Sequence, residues 1–262
     1  MGAVVWPRAR RSARARAPGI GRPGPALFLV TGAAWSGILA LDATGDATHL
    51  HHHALIEGGT PTVPAIVLFL VGWELMLAAM MLPASLPAIR TADAALARVS
   101  RPYLAGAAML VGFVAVWTAF GLGAFAGDGV LHRIVDATPW LAANPWLVQA
   151  GLLGLAGAWQ FAPIKRRSLA ACRHPDAASA SPGHGIRAPI AFGIDQGVAC
   201  LGSSWALMLL MFGEGVASLP WMVGLTALMV YEAIGRRGPQ VGHLAGIGLV
   251  LAAVATLNGV AM

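Results

Sequence analysis

The sequence predicts an all-α, polytopic integral membrane bundle of about seven transmembrane helices. Three observations carry that expectation. Hydrophobic residues make up 57% of the 262-residue chain. Charged residues make up only 11%, whereas an ordinary soluble domain carries roughly a quarter. The apolar residues also fall into continuous runs near the ~20 residues that a helix needs to cross a hydrocarbon core of about 30 Å. With a mean hydropathy of +0.70, these features exclude a soluble enzyme and a disordered chain. Two cysteines, Cys172 and Cys200, are too few for a disulfide framework. Continuous runs, rather than ten-residue alternations, exclude a β-barrel.

In chain order the apolar segments cover about 25–41, 64–83, 102–126, 142–162, 190–212, 219–234 and 241–260. Residues 1–24 are rich in Arg, Ala, Pro and Gly and read as a disordered basic arm; residues 25–262 form a single transmembrane domain. The basic arm before the first span resembles a signal peptide, but no clear A-x-A site follows Leu41, so an uncleaved first span is expected. All of the seventeen Lys and Arg except Arg133 fall in the arm or in the loops after the second, fourth and sixth spans. That pattern predicts a cytoplasmic N-terminus and an outside C-terminus. The net charge of +6 therefore reads as topology, and nothing suggests nucleic-acid binding. Lys165, Arg166, Arg167, Arg173 and Arg187 belong to the loop after span four, of which 173–189 reads as flexible.

The chemistry-bearing residues concentrate in three spans. In the second, Met76 and Met80 are four apart and share a helix face, with Trp73 one turn earlier and Met81 adjacent. In the fifth, Cys200, Ser204, Met208 and Met211 form one stripe. Span six adds Met222 and Met229. Thioethers and thiols suit Cu(I), and core packing by adaptable methionines is the competing reading. Glu74 lies mid-span, where an ionisable group is costly unless it faces protein, water or a partner. Glu232 and Asp195 sit near the cytoplasmic span ends, where they are expected to reach water or Arg236. The outer loop 42–61 carries His49, His51, His52 and His53 beside Asp42, Asp46 and Glu57. Such a cluster can collect Cu(II), Zn(II) or Ni(II), or be a solvated polar loop.

Absences narrow the function. No mid-span lysine allows a retinal Schiff base, and no pair of mid-membrane histidines suits a bis-His haem. There is no phosphate-binding loop, no HExxH and no Gly-x-Ser-x-Gly elbow, and no nucleophile–base pair points to an enzyme.

The run Trp73-x-x-Met76-x-x-Ala79-Met80-Met81-x-Pro83, followed by Pro87, resembles the hallmark of the DUF2182 family, predicted metal-binding integral membrane proteins sometimes labelled copper chaperones. Pro163-Ile-Lys165-x-x-Ser168-x-x-x-Cys172-Arg173-x-Pro175 and Gly197-x-x-Cys200-x-Gly202-Ser203-Ser204-Trp205-x-Leu207-Met208 resemble two further segments of that family. Trp221, Met222 and Glu232 extend the likeness, which covers about residues 65–235. Ser168, Ser203 and Ser204 stand where the family carries cysteines, and Ala233 where it carries a lysine. The resemblance implies a multi-pass protein of a bacterial cytoplasmic (inner) membrane that handles copper. The candidate Cu(I) ligands are Met76, Met80, Met81, Cys200, Met208 and Met211, with Trp73, Glu74, Cys172 and Glu232 as further functional candidates. The implied partner is a metal-donating or metal-receiving protein. The serine replacements keep open a metal-free structural or assembly subunit, and Glu74 keeps open a transporter of a small solute or ion.

Overall fold

A computed structural model of the chain describes residues 25–45, 62–96, 101–176, 186–214 and 218–259. The N-terminal arm and the histidine loop lie outside these. Ten helices are present among the described residues: α1 (Pro25–Thr44), α2 (Thr62–Ala84), α3 (Leu86–Leu96), α4 (Pro102–Asp136), α5 (Pro139–Ala142), α6 (Trp146–Trp159), α7 (Pro163–Arg173), α8 (Arg187–Glu214), α9 (Leu219–Ile234) and α10 (Gly238–Leu257). No strand occurs among these residues.

Each apolar segment read from the sequence is helical, but the number of spans differs from seven. Five helices are long and apolar enough to cross a membrane: α1, α2, α4, α8 and α10. At 1.5 Å per residue, the 14 residues of α6 and the 16 of α9 reach only about 21 and 24 Å, short of a 30 Å core. The chain turns by 65° between α6 and α7, and that bent pair makes a sixth span if counted as one. Pro163 sets the break: it fixes its own φ, keeps the preceding Ala162 extended (ψ 132°) and then opens α7. The basic stretch expected as a loop is thus largely a helix, packed on α8 and α9.

Small residues set the closest seams, as expected where lipid supplies no hydrophobic drive between helices. α4 runs along α8, α6 along α10, α1 along α2 and α9 along α2. A side chain at Gly193 would overlap the Met109 carbonyl, and one at Gly112 the Ile190 carbonyl, so the α4–α8 approach is backbone on backbone. α2 carries a proline inside the helix, Pro83. Proline has no N–H, so it leaves the carbonyl four residues back, Ala79, without its helical donor. The Trp35 indole of α1 donates to that carbonyl at 3.1 Å and fills the gap. Leu110, Val111, Leu244 and Leu251 are exposed, as lipid-facing positions should be.

Candidate functional site

The chain's two cysteines meet. Cys172 on α7 and Cys200 on α8 are each 2% exposed. Their thiols interact electrostatically and face the same small gap. Met81 of α2 joins them: the Cys200 thiol donates to Met81 Sδ at 3.9 Å. The Gln196 amide donates to Cys172 Sγ at 3.4 Å. Between Met81, Cys172, Cys200, Ser203, Ser204 and Met229 lies a gap of about 10 Å³, about one probe sphere and so room for a single atom rather than a hydrated ion. Metal–sulfur bonds near the ~2.3 Å of zinc thiolates would hold three trigonal sulfurs about 4 Å apart. Of the three sulfur pairs, Cys200 Sγ and Met81 Sδ lie at that spacing, 3.9 Å apart.

The three serines that the resemblance sets against cysteines make contacts of their own. Ser203 and Ser204 both donate to the Cys200 carbonyl at 2.8 Å, a local helix bond typical of serine. Ser204 also reaches Met81 Sδ at 3.8 Å. Ser168 is 1% exposed, and its hydroxyl has no partner. It lies so close to Gly202 that a side chain there would collide with it.

The other expected ligands lie elsewhere in the core. Met76, Met80, Met208 and Met211 are all buried in the same apolar core as the cysteines. Met208 and Met211 follow Cys200 by about 12 and 16 Å along the α8 axis. They sit near the opposite end, next to Phe212, which packs edge-on against Phe69 and Trp73 of α2. Trp73 itself is a structural anchor: its indole donates to the Trp117 carbonyl at 3.1 Å. Glu74 is half-buried, and the Thr118 hydroxyl meets its Oε1 at 2.6 Å. His49, His51, His52 and His53 lie outside the described residues. Among the described residues no three His, Cys, Asp or Glu converge.

Sequence reasoning missed one partnership. Asp195 is exposed, as expected, but Glu232 pairs with Lys165 rather than with Arg236. Lys165 and Glu232 are both 2% exposed and pair at 2.8 Å, 67 residues apart. Arg173, beside Cys172, donates to the Glu232 carbonyl and, at 2.8 Å, to the Gly235 carbonyl. It thereby closes the C-terminal end of α9, where helix carbonyls lack donors. The available signal was that Lys165 is the chain's single lysine and lies in the segment that resembles the family.

Fold and site together define a multi-pass helical membrane protein with a buried sulfur cluster built from three helices. The chain belongs to the PpoB2 copper chaperone family, whose model matches residues 70–256, more than two thirds of its length. No curated protein and no solved structure matches it.

Proposed function

We propose that the protein carries Cu(I) as cargo between α2, α7 and α8, held by the thiolates of Cys172 and Cys200 with Met81 as third donor. The observation that carries the reading is the convergence of the chain's two thiols and one thioether on an atom-sized gap. Soft sulfur donors select Cu(I) over harder ions, and the one carboxylate in the lining, Glu232, is paired with Lys165. Binding releases two thiol protons and leaves a complex of net charge −1. The guanidinium of Arg173 acts electrostatically on Cys172 and offsets that charge, while Lys165 and Glu232 neutralise one another. A partner's thiols then take the ion by exchange, one sulfur at a time. The basic residues of α7 support a reading in which this end lies at the cytoplasmic face of a bacterial inner membrane.

The test is anaerobic Cu(I) loading of the detergent-purified protein, with copper counted after desalting. About one copper per chain is expected, lost in Cys172→Ser/Cys200→Ser. Equal copper in both proteins would overturn the site and direct attention to the histidine loop. No copper in either would favour a metal-free assembly subunit.

A further inference from the structure

A second cavity lies on the basic side of the sulfur cluster, separated from it by Leu169 and Glu232, which line both. It is an open cleft of about 230 Å³, room for roughly eight water volumes. Gln160, Lys165, Arg166, Arg173, Glu232 and His243 supply its polar wall. Its charge is unbalanced. Glu232 is the single carboxylate in the lining and is already paired with Lys165, so Arg166 and Arg173 are in excess.

The wall also carries unused hydrogen-bonding groups. Gln160 is 1% exposed, yet neither its amide nitrogen nor its amide oxygen has a partner. The Oε1 of Glu232 is equally unpartnered. Both oxygens converge on Gly242, where any side chain would collide with Glu232 Oε1. A buried amide left unpaired on both sides costs of the order of 1–3 kcal/mol per group, which a ligand or bound water must relieve. The cleft thus offers cationic donors toward its mouth and neutral or anionic acceptors at its floor. Phe161, in the turn between α6 and α7, and Ile164, Leu244 and Ile247, on helices that form the cleft, are exposed apolar side chains of the kind that lie against acyl chains.

We propose that this cleft binds a glycerophosphate group: the phosphate on Arg166 and Arg173, and the hydroxyls donating to Glu232 Oε1 and Gln160 Oε1. The group is supplied either by an anionic phospholipid such as phosphatidylglycerol or by a soluble glycerol phosphate. Basic pockets between membrane helices take anionic headgroups by the same electrostatics. This site shares Arg173, Leu169 and Glu232 with the surroundings of the sulfur cluster, but its ligand goes beyond the reading above.

Native mass spectrometry of the full chain tests it, with three titrants: phosphatidylglycerol, phosphatidylcholine and glycerol 3-phosphate. One phosphatidylglycerol retained per chain in preference to phosphatidylcholine is expected. Arg166→Gln and Gln160→Leu should each weaken it about tenfold, the loss of one charge-assisted or buried hydrogen bond. Arg167→Gln, an exposed charge outside the cleft lining, should leave it unchanged. Binding of glycerol 3-phosphate as well would show that the headgroup alone suffices; lipid binding alone would assign the acyl chains a share. The proposal is overturned if phosphatidylglycerol has no preference and glycerol 3-phosphate does not bind, or if Arg166→Gln and Arg167→Gln behave alike. Copper content plays no part in this readout, so its failure leaves the sulfur site standing.

Discussion

The two ends of the α2–α8 contact are built on opposite principles. At one end Phe69, Trp73, Phe120, Phe125 and Phe212 pack rings at centroid separations of 4.7–6.4 Å. At the other, Met81 meets Cys200 and Ser204. The two sets of contacts show that α2 and α8 run antiparallel here, so residues early in α2 face residues late in α8. The aromatic end fills its volume and leaves no donor set. The sulfur end leaves an atom-sized gap among polarizable donors. Dispersion and ring geometry hold the first end, so the second is free to change its ligands without unlocking the bundle.

The largest effect expected from breaking this contrast is chemical. Cys172→Ser/Cys200→Ser should lower Cu(I) affinity by at least about a hundredfold, since hydroxyls are poor soft-metal ligands, with helicity by circular dichroism unchanged. Trp73→Ala should do the reverse. It should cost about 3–5 kcal/mol in stability for loss of a large buried ring, seen as a lowered midpoint in a detergent unfolding titration. Copper stoichiometry of the surviving fold should be retained.

Lys165→Met should cost about 3–5 kcal/mol as well, because it strands the buried Glu232 carboxylate. Lys165→Met/Glu232→Leu should recover most of that loss, as apolar replacement of both partners often does. Failure of the double variant to recover would mean that the pair is needed for more than mutual neutralisation. The smallest effects should come from Met76→Leu, Met80→Leu, Met208→Leu and Met211→Leu. Each near-isosteric change should cost under about 1.5 kcal/mol and leave copper bound. Loss of copper in any of them would move the site toward the aromatic end.

Much of the architecture is legible in one dimension. Continuous apolar runs predict the helices, whereas the break at Pro163 appears only in the structure. The span count is less legible, because 142–162 reads as one apolar segment while the chain ends α6 at Trp159 and turns. Periodicity also groups Cys200 with Met208 and Met211, since all three share a stripe. Sharing a stripe does not place residues at the same depth, and the rise of the helix separates these by several turns.

The sequence alone determined that this protein is a helical membrane bundle, rich in thioethers and with two thiols, because composition and period need no partner helix to be read. Only the tertiary structure decided that Cys172 meets Cys200 and Met81, that Lys165 pairs with Glu232, and that Trp35 serves the carbonyl freed by Pro83. Each of these joins residues on different helices. A helix's own pattern says which face is apolar, but depth, register and neighbour are set by how glycine-lined backbones close on one another.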